Sequence, residues 1–108
     1  MENNKVVLTF TLRSLSLLKH PRKDFSMTLG SNKKYIFEFD ADSFWDNKKI
    51  AAEFVSGPIT LYTPVINMKC EIPDLIAKQR DFYLTIIGED SNGVRFRTNR
   101  NRIIQNGG

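Results

Sequence analysis

Val6-Val7-Leu8-Thr9-Phe10-Thr11-Leu12 alternates side chain by side chain. Val6, Leu8, Phe10 and Leu12 fall on one side of an extended chain, and Val7, Thr9 and Thr11 on the other. Successive residues of a strand point to opposite faces, so this period of two specifies a β-strand with one apolar face. The pattern returns downstream. Tyr35-Ile36-Phe37-Glu38-Phe39 places Tyr35, Phe37 and Phe39 together as a core face. Phe25, Met27 and Leu29 alternate before it, and Gly30-Ser31-Asn32 supplies a turn between the two runs.

The rest of the chain follows the same grammar. Ile50, Ala52 and Phe54 alternate with Ala51, Glu53 and Val55; Gly57-Pro58 breaks the run; Ile59–Leu61 begins another; and Pro64 breaks again before Val65–Ile72. One helical turn is expected within Pro73–Arg80, because proline suits the first helical position and Asp74 favours the positive end of the helix dipole. Phe82–Ile87 reads as a strand ended by Gly88, Asp90-Ser91-Asn92-Gly93 as a hairpin turn, Val94–Thr98 as its return, and Ile103-Ile104 as a last short strand. Lys19–Asp24 reads as a loop. The expectation is an all-β chain, a single immunoglobulin-like sandwich of about seven or eight short antiparallel strands over residues 1–108, with 1–4 and 106–108 as loose ends.

Composition narrows the possibilities. The chain has 108 residues, 41% of them hydrophobic, and a formal charge of +4. That is one domain with one modest core, too apolar for a disordered tail. There is one cysteine, Cys70, so no internal disulfide, and Cys70 and His20 alone cannot make a Cys/His zinc site. No apolar run approaches the ~20 residues of a membrane-spanning helix, and the start lacks the pattern of a signal peptide. The reading is a protein made in a reducing cytoplasm, with no membrane insertion.

Candidate chemistry is sparse. His20 is the one available base, set in Lys-His-Pro-Arg-Lys with Asp24 the nearest orienting carboxylate; a solvated loop histidine is the stronger reading. Cys70 shares a face with Met68 and Ile72, as a small buried hydrophobe would. Asp40-Ala41-Asp42 opens like a calcium loop but lacks the glycine and the closing glutamate. A carboxylate pair for glycoside hydrolysis needs a cleft that a small sandwich does not offer. No catalytic residue, metal, cofactor or small-molecule substrate is therefore expected.

Charge is more informative. Residues 91–108 carry Arg95, Arg97, Arg100 and Arg102 and no acid, while residues 38–46 carry Glu38, Asp40, Asp42 and Asp46. A basic edge on one copy could meet an acidic edge on a neighbour. Nucleic acid is a weaker reading, because Phe96 alternates away from Arg95 and Arg97 instead of sharing their face. Trp45 beside Phe44 offers a sugar-stacking platform, against the reading that one ring plugs the end of the sandwich. The candidate interface residues are Arg95, Arg97, Arg100, Arg102, Asp40, Asp42, Asp46 and Trp45.

The succession of Trp45, Ile50-Ala51-Ala52-Glu53-Phe54, Cys70-Glu71-Ile72-Pro73-Asp74, Phe82–Gly88 and Arg97-Thr98-Asn99 resembles the N-terminal β-sandwich domain of upper-baseplate and related tail-tip proteins of tailed phages that infect Gram-positive bacteria. The likeness covers roughly residues 35–104. It implies a virion structural protein, not an enzyme, made in the host cytoplasm and assembled with itself or other virion proteins in tail, baseplate or neck. Such domains lead into a longer chain with a fibre or receptor-binding part, so a chain ending at Gly108 would serve as an adaptor, collar, tail-tip or decoration component. The first strand, Val7–Leu12, or the last one is the expected edge for pairing with a neighbour.

Overall fold

The computed structural model describes residues 5–23 and 25–107. Two sheets face each other. The first has the order β2-β1-β3-β6, built from β1 (Lys5–Arg13), β2 (Ser16–Lys19), β3 (Lys34–Ala41) and β6 (Lys69–Glu71). The second has β5 (Ile59–Pro64), β4 (Lys49–Ser56) and β7 (Asp81–Glu89) side by side, and the far flank of β7 is shared by β8 (Arg95–Arg97) and β9 (Asn101–Ile104). A single turn of helix, α1 (Asp74–Ala77), lies inside the expected 73–80 window. The all-β sandwich is as the period-two pattern required.

The alternation is satisfied strand by strand. Leu8, Phe10 and Leu12 of β1, and Tyr35, Phe37 and Phe39 of β3, point inward and meet Ala52 and Phe54 of β4 and Phe82, Leu84 and Ile86 of β7. Six phenylalanines form the centre. Phe37 lies 5.0 Å, centroid to centroid, from Phe10, and 6.2 and 6.4 Å from Phe54 and Phe82 across the sandwich. Cys70 sits opposite Phe37 in the β3–β6 pairing and is buried. Burial pushes its thiol up to about 12. The thiolate is the reactive form, so Cys70 is expected to ignore a thiol reagent at pH 8 in the native protein and to react fully once unfolded, as absorbance of the released thiolate would show.

Four features depart from the sequence reading. First, β1 and β3 run parallel, with Lys5 opposite Lys34 and Leu12 opposite Ala41. The β1–β2 hairpin occupies one flank of β1, and β3 pairs with the other flank. Second, β1 is therefore an interior strand, which rules it out as the edge for a neighbour. Third, Phe25–Leu29 is a crossover segment and not a strand. It keeps one bridge, Thr28 to Asn106, while Phe25 and Met27 still pack inward. Asn106 is held by the same segment: its N–H donates to the Met27 carbonyl at 2.7 Å and its carbonyl accepts from Leu29. Asn106, expected within the loose end, is thus held in place, while residues 1–4 and 108 lie outside the described residues. Fourth, Val65–Ile72 is not one strand. Asn67 and Met68 adopt φ of +54° and +59°, turning the chain between Ile66 and Lys69 so that it passes from one sheet to the other.

Gly88 does not end its strand. β7 continues through it to Glu89, because Gly88 faces inward where the indole of Trp45 fills the space. Trp45 closes the 3₁₀ turn Ser43–Trp45, is 1% exposed, and donates its indole N–H to the Ser14 carbonyl at 2.7 Å.

One flank of the sandwich is sewn shut by side-chain amides. Asn99 accepts from the Leu17 N–H at 2.7 Å and donates to the Leu17 carbonyl at 3.0 Å, and Asn101 donates to the same carbonyl at 2.7 Å. These amides give the free edge of β2 the partners that another strand would otherwise supply.

Candidate functional site

Register places the functional candidates. In β4, Ala52 and Phe54 face the core, so Lys49, Ala51, Glu53 and Val55 face out. The pairings Glu53–Tyr62, Glu53–Thr85, Ile87–Arg97, Glu89–Arg95 and Tyr83–Arg102 carry that outer face across the sheet. Arg95, Arg97 and Arg102 therefore stand on one surface. Arg100, in the short link between β8 and β9, joins them by lying over the Tyr83 ring at 4.5 Å. All four arginines expected at the basic end share the outer face of the larger sheet.

None of the four is idle there. Arg97 Nη2 lies 2.6 Å from Glu53 Oε1, whose other carboxylate oxygen accepts from the Tyr62 hydroxyl at 2.9 Å. Arg102 donates from Nε and Nη2 to Asp81 at 3.1 and 2.6 Å. Arg95 Nε lies 3.2 Å from Glu89. The Glu53 side chain is only 10% exposed, covered by its own partners. Among these charges lie Ala51, Ile87, Pro64 and the ring of Tyr62, which line a shallow depression with Arg95. Tyr62 and Ile104 are 60% and 59% exposed.

The Glu53 carboxylate leaves a measurable mark. It accepts the Tyr62 hydrogen bond and opposes a second negative charge beside it, so the Tyr62 hydroxyl titrates above the ordinary tyrosine value of about 10. A proton held more tightly in the folded state stabilises it fully below the unfolded value, and that contribution is lost as pH rises through the folded one. Glu53→Gln is expected to return the Tyr62 titration toward the ordinary range, followed by the ring-carbon NMR shift of Tyr62 between pH 9 and 12.

The acidic candidates are placed elsewhere and are engaged locally. Asp40 pairs with Arg13 at 3.2 Å. Asp42 accepts from the Ser14 N–H at 2.8 Å and caps the 3₁₀ turn through the Phe44 N–H at 3.3 Å. The Asp46 N–H closes that turn on the Ser43 carbonyl at 3.0 Å. Asp40 and Asp42 thus fasten the β1–β2 hairpin to the 40–46 segment. They do not form a block of uncompensated charge for a neighbour's arginines.

Trp45 is the clear correction. It is buried and cannot offer a face to a sugar, so the plug reading applies to it. Phe44 packs edge-on to Phe96 at 5.3 Å, with Lys48 over both rings. His20 sits in a loop where its Nδ1 accepts from the Arg22 N–H at 3.1 Å; Asp24 lies outside the described residues. Among the described residues, no three His, Cys, Asp or Glu side chains are grouped to hold a metal ion, and no helix is long and apolar enough to cross a membrane.

Sequence reasoning found the arginines but missed Glu53, Tyr62, Asp81, Tyr83 and Glu89. Glu53 and Arg97 are 44 positions apart in sequence, and only the antiparallel pairings through β7 bring them together. The one available signal was Glu53 itself, a charge on the polar side of an otherwise apolar run.

No family model matches the chain, and no curated protein or solved structure matches it. The likeness to tail-tip domains rests on the short sequence pieces alone.

Proposed function

We propose that this chain is a non-enzymatic interaction domain that docks on another protein through the outer face of β5-β4-β7-β8/β9. On the sequence resemblance, its setting is the tail, baseplate or neck of a phage particle, where it assembles with itself or with other virion proteins. The observation that carries the docking reading is the composition of that face. Arginine and tyrosine are the residues most enriched at the energetic centres of protein interfaces, and this surface holds four arginines and two tyrosines around an apolar depression. Planar guanidinium groups already oriented by a carboxylate or a ring lose little freedom on binding.

The alternatives fit less well. A phosphate backbone calls for free cations and exposed stacking rings. Here Glu53, Asp81 and Glu89 are interleaved with the arginines and would repel it. A sugar platform loses its tryptophan to the core.

The test has two parts. Purified phage particles from cells carrying the gene are expected to contain the chain at a fixed copy number by quantitative mass spectrometry. Arg95→Glu combined with Tyr83→Ala is expected to leave the circular-dichroism spectrum unchanged and remove the chain from the particle. Absence of the wild-type chain from particles overturns the virion setting. Full incorporation of the folded variant overturns the docking face.

A further inference from the structure

The sandwich closes one flank with asparagine amides and leaves the other open. On the open side lie β5 and β6. β6 is three residues long, and its two outer residues are charged and ion-paired, Lys69 with Glu38 and Glu71 with Lys34. Charge on a short edge discourages further pairing. β5 is different: Ile59-Thr60-Leu61-Tyr62-Thr63-Pro64 is six residues long without a charge or a bulge.

The register shows which backbone groups are free. The Val65 N–H donates to the Ile50 carbonyl at 2.9 Å, extending the β4–β5 pairing by one residue pair. Hydrogen-bonded pairs alternate along an antiparallel ladder. Thr63, Leu61 and Ile59 therefore direct their backbone groups toward β4, and Thr60, Tyr62 and Pro64 direct theirs away. Proline brings no N–H to the edge, so Pro64 marks one end of the free row, and Pro58 in the hairpin turn marks the other. Between the prolines remain two N–H groups and two carbonyls, those of Thr60 and Tyr62.

That row complements itself. Turned about a two-fold axis at Leu61, Thr60 comes opposite the partner's Tyr62 and Tyr62 opposite the partner's Thr60, and all four N–H groups meet all four carbonyls. The same register sets Pro58 against the partner's Pro64, where neither residue has an N–H to leave unpaired. No charged side chain is brought opposite another within the paired rows. We infer that β5 pairs antiparallel with β5 of a second copy of this chain, in the register that centres on Leu61, joining two five-stranded sheets into one continuous sheet. This pairing uses the backbone edge of β5, whereas the docking proposed above uses side chains on the outer face of the same sheet, Tyr62 among them, so the two are read by different variants.

Sedimentation velocity of the full chain from about 10 μM to about 1 mM is expected to show a reversible monomer–dimer equilibrium. Thr60→Pro removes an outward N–H and leaves the β4 ladder intact. It is expected to weaken the dimer at least about tenfold, since two of the four hydrogen bonds are lost. Leu61→Cys gives an independent reading. Directly opposed residues of a non-hydrogen-bonded pair lie about 4.5 Å apart at Cα, within disulfide reach. Under mild oxidation this variant is expected to form a covalent dimer. Ile59→Cys should not, because its two copies would lie four residues apart, about 13 Å. Buried Cys70 does not compete. If Thr60→Pro fails to fold, the cross-linking pattern decides alone. A chain that stays monomeric at about 1 mM, a dimer that folded Thr60→Pro leaves intact, or cross-linking at position 59 as fast as at 61 overturns the inference. A monomer that still enters particles through its arginine face overturns it while leaving the functional reading in place.

Discussion

Phe37→Ala is expected to destabilise the protein by about 3–5 kcal/mol, measured by denaturant unfolding. The side chain is fully buried and stands where the two sheets are in closest aromatic contact. It touches Phe10 and Phe25 on its own side and Phe54 and Phe82 on the other. Removing the ring leaves a void between two sheets, each kept in shape by its own backbone hydrogen bonds, so little of it can collapse. A domain of this size has a total stability of roughly 5–15 kcal/mol. The variant should therefore lose a large share of that stability and unfold at a much lower denaturant concentration than the wild type. A loss below about 1 kcal/mol would mean that β3 presents its other face to the core, the result of a one-residue slip.

The second large effect is expected at the Trp45–Gly88 contact. A Cβ added at Gly88 would lie 2.5 Å from Cζ3 and 3.0 Å from Cε3 of the indole. The indole cannot swing away, because it is buried and its N–H is tied to Ser14. Strand β7 is pinned between β4 and β8. Gly88→Ala is therefore expected to cost about 1–3 kcal/mol, although alanine is otherwise the better residue in a strand. Trp45→Ala, which empties the site, is expected to cost about 3–5 kcal/mol. The combination separates packing from propensity: in the Trp45→Ala background, Gly88→Ala should cost nothing measurable or stabilise slightly. Additive losses in the double variant would show that the crowding is relieved elsewhere.

What the sequence disclosed follows from what local physics controls. Alternation in Val6–Leu12, Tyr35–Phe39 and Phe82–Ile87 reports which face of each strand is apolar, so the sandwich and its core residues were readable. Strand partners were not, because alternation is blind to direction. The parallel β1–β3 pair is set by the crossover between β2 and β3, where Lys19–Asp24 reads as a loop and the alternation of Phe25, Met27 and Leu29 reads as a strand, and neither discloses the direction in which β3 will pair. Gly88 reads as a stop signal because glycine is unfavourable in strands, yet a tertiary contact with Trp45, 43 positions earlier, requires it there. Asn67 and Met68 look like strand interior, but both take the left-handed conformation, asparagine with ease and methionine under the constraint of the turn. The arginines at 95, 97, 100 and 102 were visible as a cluster. The pairing of Arg95, Arg97 and Arg102 with carboxylates was not, since each partner lies in another strand and is brought near only by register.

The amides of Asn99 and Asn101 have a temporal consequence. They close the flank beside Leu17, so an elongating polypeptide can lay down every strand through β7 and still lack the stitch that seals β2. Until residue 101 clears the ribosome, the backbone of residues 15–17 remains open to whatever extended chain is nearby. For the β2 edge, synthesis and not the finished fold is the interval in which mispairing is open to it.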